Sequence, residues 1–210
     1  MSLRQAVELT DDTHPAKLAY FSNLGNSQLL HFQHLGDLSH LNESITSLRR
    51  AAKVSNDANT DKPKYLLNLG YCQQVRFEWL GNMSDLNDSI LSLHKAIDLM
   101  DKTHPDNLLY LSNLGSSQQT HFEHLGKLSD LDDSIIHLSQ AAQLIDDGHP
   151  DKPRHLSSAS ISQVFCFECL SNIADLDNSI TGLCEAIKLT NNTHPNKPGY
   201  LSNLGNSYLM

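Results

Sequence analysis

One short string returns at a fixed interval through the whole chain. Asn-Leu-Gly stands at Asn23-Leu24-Gly25, Asn68-Leu69-Gly70, Asn113-Leu114-Gly115 and Asn203-Leu204-Gly205, with Ser158-Ala159-Ser160 in the remaining slot. The interval is 45 residues. In the same register His-Pro recurs at His14-Pro15, His104-Pro105, His149-Pro150 and His194-Pro195, with Asn59-Thr60 as the divergent copy. Ser-Ile recurs at Ser44-Ile45, Ser89-Ile90, Ser134-Ile135 and Ser179-Ile180. Residues 11–55 and 101–145 share 25 of 45 positions without a gap, far more than common composition gives. A chain built this way folds as copies of one supersecondary unit.

Each copy holds two helical patterns. In the first, helix A, Phe21, Leu24, Gln28, Phe32 and Leu35 step by three and four, and Leu111, Leu114, Gln118, Phe122 and Leu125 repeat the pattern. In the second, helix B, the stripe is Leu38, Leu41, Ile45, Leu48 and Ala52, matched by Met83 to Ile97 and by Leu128 to Ala142. Gly36, Gly81 and Gly126 mark where helix A stops, and Ser39, Ser84 and Ser129 are expected to cap helix B. The connection is short, so A and B run antiparallel. Polar segments ending in His-Pro or Lys-Pro break helix B and are expected to supply a proline to the first turn of the next helix A.

A single hairpin cannot hide its apolar stripe, so neighbouring hairpins must stack. The sequence therefore predicts an all-α chain, an α-solenoid of stacked antiparallel helical hairpins. Its expected parts are the end of a preceding copy over 1–10, full copies over 11–55, 56–100, 101–145 and 146–190, and a truncated fifth over 191–210. Because both ends fall inside a copy, the sequence reads as a segment of a longer array.

The succession Phe21, Leu24, Gly25, Ser44, Leu48 and Ala51 resembles a tetratricopeptide repeat (TPR) whose hairpin is lengthened by about two turns between the Gly and the Ser. The resemblance covers the whole chain and implies a right-handed superhelix. More narrowly, His-Leu-Gly-Lys-Leu-Ser-Asp-Leu-Asp-Asp-Ser-Ile at 124–135 with His-Pro-Asp-Lys-Pro at 149–153 is similar to arrays of basidiomycete fungi. Those arrays are often joined to a caspase-like CHAT peptidase domain or a nucleotide-binding domain.

In TPR arrays helix A lines the inner face, and an Asn two residues before the Gly can grip a peptide backbone, as in the ladder of kinesin light chains. An amide both donates and accepts, so it can pair an extended chain whatever its sequence. The resemblance therefore points to Asn23, Asn68, Asn113 and Asn203, beside Asn26, Tyr71, Gln74, Ser116 and Gln119, as peptide-binding residues. The competing expectation is that these asparagines bond their own backbone. Apart from Leu67 and Tyr71 this face is polar and uncharged, without the Lys or Arg a carboxylate clamp needs.

The formal charge of −9, from 24 acidic and 15 basic residues, argues against a nucleic-acid partner. Residues 101–145 and 146–190 each carry −4, which is either a solvated acidic face or a surface for a basic partner. Cys72, Cys166, Cys169 and Cys184 are too few and uneven for a disulfide framework, consistent with a reducing, cytoplasmic setting. No run approaches the ~18 apolar residues of a membrane span, so no membrane partner is expected.

His31 with His34, His121 with His124, and Cys166 with Cys169 and Cys184 have suggestive metal spacings. Drift on the repeat template explains them, because Cys166 and Cys169 stand where the preceding copy has His121 and His124. No metal, cofactor or catalytic set is expected. The sequence thus predicts a non-catalytic scaffold that binds an extended peptide or partner protein on its concave face. The alternative is a self-associating or regulatory array, a homo-oligomer holding a distant effector domain. The fourth copy is expected to be softest, having Ala159 for the core leucine, Ser158 for the ladder Asn, Ser171 for the turn Gly and Ala174 at the cap.

Overall fold

The computed structural model describes residues 2–11, 14, 16–101, 104 and 106–210. Pro15 and Pro105, expected in first helical turns, lie outside the described residues. Ten helices occur among the described residues, with no strand. Contacts divide the chain into two compact units, Met1–Lys102 and Thr103–Met210.

The first unit holds α1 (Leu3–Leu9), α2 (Lys17–Leu35), α3 (Leu38–Val54), α4 (Lys62–Leu80) and α5 (Met83–Asp98). Each of the first four packs on the next in sequence, and α2 also touches α4. The second unit holds α6 (Asn107–Leu125), α7 (Leu128–Gln143), α8 (Lys152–Leu170), α9 (Ile173–Lys188) and α10 (Lys197–Tyr208). The same neighbour packing recurs there, with α6 and α10 both touching α8. The helix-A elements α2, α4, α6, α8 and α10 begin 45 residues apart.

Why the chain turns where it does is visible residue by residue. Gly36, Gly81 and Gly126 end their helices at φ 68°, 66° and 66°, and their amides donate to the Phe32, Phe77 and Phe122 carbonyls at 2.7 Å. Only glycine takes that left-handed conformation without penalty. Ser171 nevertheless adopts it, at φ 55°, and makes the same bond to the Phe167 carbonyl. The turn of the fourth hairpin is therefore kept. Its cap is kept too, because the cap position is not where the sequence placed it. Asp37, Asn82 and Asn172 accept from the amides of Ser39, Ser84 and Ala174 at 2.9, 3.1 and 3.2 Å. The Ser39 and Ser84 amides are thus donors, and among the B helices the one without a side-chain cap is α7, whose N-cap is Lys127.

The His-Pro pairs also work differently from expectation. Pro63, Pro153 and Pro198, from the Lys-Pro pairs, occupy the first helical turns, whereas Pro150 and Pro195 lie in the preceding turn. Nδ1 of His14, His104, His149 and His194 accepts from the amide two residues on, at 3.1, 3.1, 3.2 and 3.2 Å. Asn59, the divergent copy, does this with its own oxygen at 2.8 Å. A ring nitrogen here imitates a side-chain turn cap.

The B helices supply a fully buried stripe to the core. Leu41, Leu48 and Ala51 in α3, Leu86, Leu93 and Ala96 in α5, and Leu131, Leu138 and Ala141 in α7 are fully buried. Close approach comes from glycine: a Cβ on Gly25, Gly70 or Gly115 would lie 2.6–2.8 Å from Cγ of Leu48, Leu93 or Leu138. The A stripe is shorter than its periodicity suggested, because Leu35 and Leu125 at its end are 67% and 57% exposed.

Candidate functional site

The predicted peptide-binding residues lie on the A helices. In the first unit Asn23 and Asn26 sit on α2 and Asn68, Tyr71 and Gln74 on α4. Helices α2 and α4 touch, with Leu67 buried and the polar residues left at the surface. Asn23 is exposed, Tyr71 is 39% exposed, and Asn26, Asn68 and Gln74 are half-buried. Gln74 Nε2 donates to Glu78 Oε1 at 3.3 Å. The side-chain amides of Asn23 and Asn68 are bonded to no partner among the described residues. In these two the full capacity of an amide, two donors and an acceptor, is open.

In the second unit the same positions are more committed. Asn113 Nδ2 donates to the Leu109 carbonyl at 2.7 Å, so here the self-bonding expectation describes the side chain. Gln119 Oε1 accepts from Ser162 Oγ at 3.1 Å across α6 and α8, and its Nε2 donates to Glu123 at 2.9 Å. Ser116 is half-buried on α6. Asn203, on α10, borders a cavity of about 200 Å³ with Ile161, Val164 and Phe165 of α8. Exposed leucines that the sequence reading did not single out flank these positions, Leu30 at 58% and Leu109 at 50%. Each lies one helical turn from an amide, Asn26 and Asn113.

The reading also missed a lysine clamp. Lys17, Lys62, Lys152 and Lys197 open their helices, and each Nζ bonds a carbonyl seven residues earlier at distances of 2.6, 2.6, 3.1 and 2.7 Å. Those carbonyls, on Thr10, Ser55, Ile145 and Thr190, follow the end of the preceding helix, where a cation complements the helix dipole. The only signal in the sequence was the 45-residue recurrence of lysine itself.

Several side chains with catalytic or ligating potential are tied into packing. Asp85 pairs with Arg76, and His121 Nδ1 lies 2.6 Å from Asp130 Oδ2, the same two positions one copy apart. Burial pushes the Cys72 thiol up to about 11, against the lowering effect of Ser44, and burial with the nearby Asp175 does the same for Cys166. Cys169 and Cys184 are exposed, and all four are free thiols. Among the described residues no group of three His, Cys, Asp or Glu could hold a metal ion. No helix among them is long and apolar enough to cross a membrane.

Solved structures share the fold. MamA is 14% identical with a TM-score of 0.63, covering 93% of this chain and 83% of that one. A protein described as "Podosopora anserina putative kinesin light chain nearly identical TPR-like repeats" is 13% identical at TM-score 0.66, covering 94% and 88%. YrrB, "a TPR protein with an unusual peptide-binding site", is 14% identical at 0.63, covering 100% and 83%. The fold is that of TPR solenoids. No family model and no curated protein matches the chain.

Proposed function

We propose that the chain is a non-catalytic scaffold whose A helices, on the concave face of a TPR-like array, hold an extended peptide. The observation that carries this reading is the pair of unbonded amides, Asn23 and Asn68, on touching helices. A surface amide without a partner contributes nothing to folding, whereas against a peptide bond it supplies a donor and an acceptor. Tyr71 and Leu30 add apolar area for side chains of the ligand. YrrB, too, is described with a peptide-binding site. Asn113 has one N–H engaged and contributes less.

The test is a peptide-display selection on the folded chain, followed by affinity measurements. Asn68→Ala is expected to weaken selected peptides by about 5- to 150-fold, the equivalent of roughly 1–3 kcal/mol for amides left unpaired, with the melting temperature unchanged. If Asn68→Ala melts early and keeps its affinity per folded molecule, the amide is structural and the reading fails.

A recurring feature favours the self-associating alternative. The last residue of each full helix A is an exposed leucine: Leu35 at 67%, Leu80 at 53%, Leu125 at 57% and Leu170 at 53%. Isolated exposed leucines are ordinary, but a pair in register within each unit, Leu35 with Leu80 and Leu125 with Leu170, offers an apolar edge. Sedimentation of the wild type and of Leu80→Glu with Leu125→Glu decides this, since a concentration-dependent dimer lost in the double variant supports that alternative.

A further inference from the structure

The α8 helix departs from α4 and α6 along the face that carries the candidate positions. Where α4 has Tyr71, Gln74 and Val75 and α6 has Ser116, Gln119 and Thr120, α8 has Ile161, Val164 and Phe165. A mixed or polar surface has become apolar. These residues are half-buried and, with the fully buried Leu183 of α9 and with Asn203 of α10, line the cavity of about 200 Å³. That volume lies below the range of small-molecule pockets, about 300–1,000 Å³, and suits a single side chain.

The same replacement frees a charge. Glu78, Glu123 and Glu168 share one register. In α4 and α6 a glutamine four residues earlier bonds the carboxylate, Gln74 Nε2 to Glu78 Oε1 at 3.3 Å and Gln119 Nε2 to Glu123 Oε1 at 2.9 Å. In α8 that residue is Val164, which has no donor, and the exposed Glu168 carboxylate is bonded to no partner among the described residues. Glu168 itself lines the cavity, whereas no lysine, arginine or histidine among the described residues does. An apolar hollow with one unpaired carboxylate therefore stands between α8 and α10, which touch. A larger cavity of about 320 Å³ beside Ala159, where the buried Ser160 hydroxyl makes no hydrogen bond, differs in this respect. Its lining includes Lys152 and Glu185, one charge of each sign, and so selects no charged partner.

We propose that the cavity between α8 and α10 receives an arginine side chain of the bound peptide. A long cationic side chain buries its apolar stem and keeps its charged head at the surface, which matches Ile161, Val164 and Phe165 inside and Glu168 at the exposed rim. The guanidinium group packs on aromatic rings and bonds a carboxylate through two parallel N–H groups. Asn203, in the register of the ladder asparagines, borders the same cavity, so a peptide backbone and its arginine meet neighbouring partners. This specificity rests on the reading that the A helices hold an extended peptide.

The probe is a fluorescein-labelled peptide of glycine and serine with arginine at its centre, compared with peptides carrying citrulline, its neutral isostere, or alanine there. The arginine peptide is expected to bind about three- to tenfold more tightly than the citrulline peptide through the charge-assisted bond. The citrulline peptide should in turn exceed the alanine peptide through burial of the stem. In Glu168→Gln, a change at an exposed residue, the first difference is expected to vanish and the second to remain. In Val164→Gln, which gives α8 the residue of α4 and α6, both should shrink. On the unmutated chain labelled at isoleucine and valine methyls, the arginine peptide is expected to shift the Ile161 and Val164 signals. Equal binding of the arginine and citrulline peptides, a preference that persists in Glu168→Gln, or unmoved methyl signals would overturn the proposal. Display-selected peptides that still lose affinity in Asn68→Ala would then confine the failure to this cavity, whereas their indifference to Asn68 would remove the wider reading as well.

Discussion

Small differences at equivalent positions decide what each copy can do. Tyr20, Tyr65, Tyr110 and Tyr200 share one register, and the fourth copy has His155 there. That imidazole is 2% exposed and bonds Ser112 Oγ at 3.1 Å. Burial, followed by the neighbouring Arg154, pushes it down from 6.5 to about 4. A base whose folded pKa is depressed is held neutral by folding, so between those values the unfolded chain binds more protons. Stability is therefore expected to be complete above pH 6.5 and to fall as the pH drops towards 4. His155→Tyr, restoring the residue of the other copies, should flatten that slope in chemical denaturation at pH 7, 5.5 and 4.5. A slope unchanged by the substitution would place the acid sensitivity elsewhere.

At the scale of elements, the turns separate local rule from tertiary context. Lys127 leaves α7 as the uncapped B helix, and Ser171 holds a left-handed conformation that costs a non-glycine residue about 1–2 kcal/mol. Lys127→Asn is expected to stabilise by about 1 kcal/mol through a side-chain cap, and Ser171→Gly by about 1 kcal/mol through relief of strain. Each should raise the melting temperature by roughly 2–4 °C in a chain of this size. No rise in either variant would show that these ends are held by packing alone. The helices themselves were legible because leucine and alanine recur at three and four, and Gly36, Gly81 and Gly126 stopped helix A where expected. The caps were misplaced by two residues, since Ser39 and Ser84 are good cap residues by type while Asp37 and Asn82 stand nearer the turn. The exposure of Leu35 and Leu125 was hidden because periodicity gives a face but not how far the neighbouring helix extends along it. On the candidate face, residue type indicated that Asn68 and Asn113 could both bind. Only geometry separated the unbonded amide from the one bonded to the Leu109 carbonyl.

At the scale of the molecule, the neighbour packing within each unit means that stability is a sum of hairpin and interface terms, and a weak hairpin opens locally. Within the second unit the cavity beside Ala159 and the unpaired Ser160 hydroxyl put the weakness in α8 and α9. The kept turn at Ser171 and the cap at Asn172 limit that weakness to the interior. Amide exchange is expected to be faster over 156–187 than over 111–142, and slower over 156–187 in Ala159→Leu. Equal protection of the two windows would mean the cavity carries no energetic deficit.

The central claim is that asparagine amides on the A helices pair with the backbone of an extended ligand. Calorimetric titration of one display-selected peptide, and of the same peptide methylated at a single backbone nitrogen, against the wild type and Asn68→Ala tests it most directly. At the nitrogen facing Asn68, methylation should cost the wild type about 1–3 kcal/mol and cost Asn68→Ala almost nothing further, because both changes remove one hydrogen bond. Strictly additive losses at every backbone nitrogen would show that Asn68 does not hold the peptide chain, and would contradict the account.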